Sequence, residues 1–253
     1  MKPTPSRAFL LGVAIIMAAS LFFAAAGRGA EPSIAATTIT LGTSSGEIAA
    51  EVFQQPDEKK RPAILVLHGA GGTLLDGPEM RRVARELAGA GNAVYLVHYF
   101  ESTGTLFARD ASMEKNFGTW LQTVLDSIGA IQEARRDSSP VGIYGYSLGG
   151  FLALLAASNN AEVAAVVEHA GGIWNGDVER IGKMPPVLMV HGERDARVPF
   201  AKYAKPLVPI LRSRARTLET HFVPGEGHGF APGPMKDVRA AAANFFRKHV
   251  ATR

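Results

Sequence analysis

The chain has 253 residues, 27 Lys and Arg against 23 Asp and Glu, a formal charge of +4 and no cysteine. The absent cysteine excludes disulfides and thiolate catalysis. The charge is small and no Lys/Arg run concentrates it, so no nucleic-acid partner is expected.

The chain opens on a targeting pattern. Lys2 and Arg7 make a basic start, residues 8–23 are nearly continuously apolar, and Ala24-Ala25-Ala26 supplies the small residues of a cleavage site. The expected division is a signal peptide over 1–26, a linker over 27–36 and a domain over 37–253. Cleavage removes Lys2 and Arg7 and lowers the formal charge to about +2. The rival is a retained anchor, since roughly 18 apolar residues approach the spanning length. Cleavage predicts an exported protein, periplasmic or secreted, with no stable membrane association. Nothing in the sequence specifies an oligomeric state.

Residues 37–41 and 48–53 flank a Gly- and Ser-rich segment, 42–46, and read as an antiparallel hairpin. After a polar connection the pattern changes. Apolar runs at 63–67, 93–97, 141–144, 163–167, 187–190 and 218–223 read as buried strands. Between and after them, helices are expected at about 79–90, 113–135, 148–158, 200–214 and 235–249. Continuous apolar strands alternating with helices imply an α/β domain with a mostly parallel sheet covered on both faces. Residues 98–111 read as irregular.

In such sheets, sites gather at the carboxyl ends of the strands. One strand runs into Gly145-Tyr146-Ser147-Leu148-Gly149-Gly150, a G-x-S-x-G pattern that places a serine on a sharp strand-to-helix turn. The glycines two positions either side remove side chains that would collide where strand and helix cross. A serine hydroxyl is a weak nucleophile. It needs a base, and the base needs an acid to hold its tautomer.

The expected base is His228, in Gly225-Glu226-Gly227-His228-Gly229-Phe230. The expected acid is Asp195, in His191-Gly192-Glu193-Arg194-Asp195, with Glu193 and Glu226 as rivals. The three residues are expected at three successive strand ends. The oxyanion of a tetrahedral intermediate needs preorganised N–H donors. The backbone N–H of Leu148 is one. That of Ala70, in His68-Gly69-Ala70-Gly71-Gly72, is the other, with Gly71 as its rival. Leu74 stands where a G-x-G-x-x-G loop needs its last glycine, which argues against a phosphate cradle.

His68, His98, His169 and His191 all end expected strands. No H-E-x-x-H or similar spacing accompanies them, so they are read as holding loop backbone rather than a metal. Tyr146 is expected to line the acyl pocket. Residues 100–117 are expected to form a small cap, with Arg109 or Arg197 meeting a substrate carboxylate.

The order Ser, Asp, His is that of the α/β-hydrolase fold. The domain resembles that superfamily, and within it the dienelactone hydrolase family, through the 145–150 elbow, His191-Gly192 with Asp195, and Glu226-Gly227-His228-Gly229-Phe230. The resemblance implies a compact hydrolase without a large lid. Archetypal members carry a cysteine nucleophile where this chain has Ser147, and an acidic residue where it has Gly69. Dienelactone is therefore a doubtful substrate, and a general carboxylic ester is expected. No cofactor is needed. A histidine base predicts activity rising between about pH 6 and 8. The alternatives are a peptidase of the prolyl-oligopeptidase type and a non-catalytic binding protein of the same fold.

Overall fold

A computed structural model of the protein describes residues 34–57 and 59–251. The expected signal peptide, and the linker up to residue 33, lie outside the described residues. Among those described, no helix is long and apolar enough to cross a membrane.

Strands β1 (Ala36–Thr43) and β2 (Gly46–Phe53) form the hairpin, and both run further into the turn than the sequence suggests. Thr43 pairs with Gly46, leaving Ser44-Ser45 as a two-residue turn, and Gly46 takes φ 110°. The Ser44 N–H and hydroxyl both donate to Asp126, so a side chain distant in sequence holds the turn closed.

The remaining strands are β3 (Ala63–Leu67), β4 (Ala93–Val97), β5 (Val141–Tyr146), β6 (Val163–His169), β7 (Val187–Gly192) and β8 (Leu218–Val223). One sheet results, in the order β1-β2-β4-β3-β5-β6-β7-β8. β2 is antiparallel to both its neighbours, and β4 to β8 are parallel.

β3 and β4 are buried throughout, as continuous Val/Ile/Leu runs demand when helices cover both faces. Helices α3 (Asp110–Arg135), α4 (Leu148–Ala157) and α5 (Ala204–Arg214) close one face, around Leu65, Ile143, Val166 and Met189. The short α1 (Gly72–Leu75) lies in the loop after β3. Helices α2 (Gly77–Gly89) and α6 (Pro232–His249) close the other face, around Ile64, Val94, Tyr144 and Val190. α4 is buried along its whole length.

Three helix starts differ from the periodicity. α3 begins at Asp110, where the Ser112 hydroxyl accepts the Arg109 N–H. Residues 99–103 form a 3-10 turn and 110–111 belong to α3, so half of the expected irregular stretch is ordered helix. α6 begins at Pro232, whose fixed φ suits a first helical turn. α5 begins only at Ala204, because residues 198–203 are drawn into turns on Pro199 and the Asp195 loop.

Candidate active site

β5 ends in Tyr146, and Ser147 follows with φ 53° and ψ −118°, a conformation rare for a residue with a Cβ. Its N–H donates to the His169 carbonyl on β6 at 2.8 Å, and its carbonyl accepts the Gly150 N–H at 2.8 Å. These bonds hold the strained turn in place.

The flanking glycines are required by contact. A Cβ on Gly145 would stand 2.1 Å from the Gly149 carbonyl oxygen, and one on Gly149 would stand 2.4 Å from that of Leu67. Both obstacles are backbone and cannot rotate away. Gly145→Ala is therefore expected to cost on the order of 3 kcal/mol or more. For a domain this size that lowers the melting temperature by about 6–12 °C. An unchanged melting temperature with unchanged activity would mean that strand and helix separate freely.

Asp195 and His228 reach Ser147 from the loops after β7 and β8. The sequence expectation of three successive strand ends needs correction, because β6 lies between β5 and β7 in the sheet and contributes none of the three. The two loops are locked together. The Arg194 N–H donates to the Glu226 carbonyl at 2.9 Å, and a Cβ on Gly192 would meet the Glu226 and Gly227 carbonyl oxygens at 2.4 Å.

His228 Nε2 lies 2.8 Å from Ser147 Oγ, and His228 Nδ1 lies 2.8 Å from Asp195 Oδ2. Asp195 Oδ1 accepts the N–H groups of Arg197 and Val198, each at 2.8 Å. Burial pushes the Asp195 carboxyl up, but hydrogen bonds from His191, His228 and the Val198 N–H outweigh it and hold the group well below the usual carboxylate range. Of the rival acids, Glu193 is exposed and Glu226 accepts the Ala231 N–H at 2.8 Å.

Above Ser147 lies the loop after β3. Among the described residues, neither the Ala70 nor the Leu148 N–H donates to a protein acceptor. The Gly71 N–H, the rival donor, is committed to Asp76 Oδ2 at 3.0 Å. The sequence does not mark Asp76, since an aspartate just ahead of a helix reads as an ordinary cap. Burial pushes its carboxyl up, opposed by the N–H groups of Gly71 and Gly69. A Cβ on Gly69 would stand 2.7 Å from Asp76 Oδ2 and 3.0 Å from Ser147 Cβ, so no acidic side chain has room at position 69.

A cavity of about 400 Å³ opens beside Ser147. Its walls include Met113, Phe151, Trp174 and Tyr203, and its edge carries Asp110, Glu114 and Arg197. Trp174 stacks on Phe151 at 4.8 Å and meets the edge of Phe117 at 4.5 Å.

Of the three expected substrate contacts, Tyr146 and Arg109 lie outside the lining of this cavity. Tyr146 lies away from this cavity. Its hydroxyl donates to the His228 carbonyl at 3.2 Å, and it lines a second cavity beside α2 and α6. Side chains alternate along β5, so Tyr146 takes the face of Tyr144. Arg109 is outside the lining too, with its guanidinium over the Phe107 ring at 5.7 Å. Arg197 does border the cavity, paired with Asp110 at 3.2 Å.

The four histidines expected at strand ends do not converge on one cleft. His68 stacks on Tyr99 at 4.2 Å, His98 bonds to Glu51 and Glu101, His169 to the Tyr144 hydroxyl, and His191 to the Val198 carbonyl. Among the described residues, no group of three or more His, Asp and Glu is placed to hold a metal ion.

A mixed sheet with its nucleophile-type elbow after β5 defines an α/β hydrolase. The dienelactone hydrolase family model matches residues 48–251, and the chain belongs to that family. Solved structures agree on the fold. The dienelactone hydrolase of Anabaena variabilis is 19% identical, with a TM-score of 0.64 over 87% of this chain and all of the other. A putative dienelactone hydrolase of Klebsiella pneumoniae is 18% identical, with a TM-score of 0.71 over 85% of this chain and 99% of the other. An esterase of Pyrobaculum calidifontis is 18% identical, with a TM-score of 0.68 over 86% of this chain and 87% of the other. No curated protein matches the sequence.

Proposed function

We propose that the chain is an exported serine hydrolase that cleaves carboxylic esters of small molecules. The observation that carries this reading is the unbroken line from Ser147 Oγ through His228 to Asp195, with both links at 2.8 Å. His228 takes the Ser147 proton as Oγ attacks the ester carbonyl carbon. Asp195 holds the imidazole and balances its positive charge. The Leu148 and Ala70 N–H groups receive the oxyanion. The alcohol leaves with the proton from His228, and a water deprotonated by His228 then releases the acid and restores Ser147. The aromatic wall beside Ser147 suits an apolar acyl or alcohol group.

Family membership places the chain among hydrolases, and the Pyrobaculum calidifontis esterase is among its structural neighbours. A Pyrococcus horikoshii acylaminoacyl peptidase shares the fold at 14% identity, but this chain spans only 42% of its length. Export rests on the apolar N-terminus with its alanine-rich end.

The test is turnover of short- and long-chain nitrophenyl esters beside a peptide amide. We expect ester hydrolysis to dominate. The depressed carboxyl of Asp195 loses its stabilising charge only as pH falls through its lowered value, so it adds no limb above about pH 4. Preferential amide cleavage would replace the esterase reading with the peptidase one. No turnover of either would favour a binding protein.

A further inference from the structure

Directly beneath the elbow lies a second pair of buried polar side chains that this mechanism does not use. Glu168, next to last in β6, is fully buried, and its Oε1 accepts the Gly171 N–H at 2.5 Å. A Cβ on Gly150 would stand 3.5 Å from Glu168 Cγ, and one on Gly171 would stand 2.9 Å from both Glu168 Oε1 and the Ser147 carbonyl oxygen. The carboxyl is therefore packed between the start of α4 and the segment after β6. Its second oxygen, Oε2, is buried without a protein partner.

On the neighbouring strand, Glu168 is in register with Met189, and two residues further along the same face comes His191. His191 is also fully buried, with Nε2 2.8 Å from the Val198 carbonyl oxygen and 3.4 Å from Asp195 Oδ2. Both of these neighbours are acceptors, so the ring proton sits on Nε2. In the neutral ring that leaves Nδ1 as an acceptor, and it too is buried without a protein partner.

Two unpaired polar atoms on adjacent strands are costly unless something joins them. We propose that Glu168 and His191 are joined through one buried water into a positioning pair that fixes the Asp195 carboxylate against His228. The inference rests on the triad reading above. A water at that point donates to Nδ1 and has a second hydrogen bond to Glu168 Oε2, which meets the needs of both. The Nε2–H of His191 is then held on the side of Asp195 Oδ2, the oxygen that meets His228. Burial pushes the Glu168 carboxyl up to about 7, so near neutral pH it can offer a proton to this link as well as accept one.

The test compares Glu168→Gln with Glu168→Leu, both normalised to active sites counted with a fluorophosphonate. The amide keeps an acceptor for the Gly171 N–H and polar contact with the water. The leucine fills similar space with no polar atom. Glu168→Gln is expected to keep kcat within about threefold. Glu168→Leu should lose about 10- to 100-fold in kcat with KM within about twofold, the scale of a small misplacement of a reacting group. Unchanged kcat in the leucine variant, or equal losses in both, would overturn the proposal, because a merely space-filling residue gives one or the other.

Should Glu168→Leu fail to fold, imidazole nitrogen NMR of the unmodified protein decides. His191 as the Nε2–H tautomer with a hydrogen-bonded Nδ1 supports the pair; the Nδ1–H tautomer refutes it. That spectrum needs no ester, so failure of the esterase reading stays distinguishable from failure of this one.

Discussion

Ser147→Ala is expected to lower kcat for an activated ester by about ten-thousand- to a million-fold, the range seen when a serine nucleophile is removed. The residual rate would come from the Leu148 and Ala70 N–H groups and the binding cavity. Alanine also has a Cβ, so the strain at φ 53° is retained and the melting temperature should change little. KM should stay within a few-fold, because the cavity walls at Phe151, Trp174 and Tyr203 are untouched. Nitrophenol release by the two proteins at equal concentration settles the matter. Equal rates would mean that Ser147 is not the nucleophile, whatever its contact with His228.

The second large effect is expected from Asp195→Asn. An amide nitrogen facing His228 Nδ1 in place of Oδ2 would donate where the aspartate accepts. The imidazole would then carry its proton on Nε2 and have no lone pair for the Ser147 hydroxyl. A wrong tautomer of this kind costs about ten-thousand-fold in kcat, or roughly 5.5 kcal/mol of barrier. The amide oxygen can still accept the Arg197 and Val198 N–H groups, so the loop should hold its shape. Glu193→Gln is the control. Glu193 is exposed, and its replacement should leave kcat within about twofold, in line with ordinary surface substitutions. A large loss there with none at Asp195 would reassign the acid.

These two residues and His228 were legible because local chemistry marks them. Gly145 and Gly149 announce the elbow around Ser147, and Asp195 and His228 lie a few residues beyond apolar strand runs. The parallel sheet was legible for the same reason, since strands buried on both faces leave uninterrupted Val, Ile and Leu. Helix starts were less so. Ser112 caps α3 and Pro232 opens α6 before the apolar period begins, while the Asp195 loop delays α5 to Ala204.

The direction of side chains around the site was not legible. Tyr146 sits beside Ser147 in sequence, yet strand alternation turns it to the other face, where it supports the His228 carbonyl. Arg109 and Arg197 look alike as free cations, but only Arg197 borders the cavity. Ala70 was the expected oxyanion donor and Gly71 its rival; only the structure shows Asp76, five residues past Gly71, holding the Gly71 N–H.

By itself the sequence determined the α/β layering, the strand positions and the elbow, because burial periodicity and glycine sterics act over a few residues. Only the tertiary structure decided which N–H groups remain free, which cations border the cavity, and that Glu168 and His191 come onto neighbouring strands. Those depend on which strands become neighbours, and β6 comes to lie between β5 and β7 only when the whole sheet has formed.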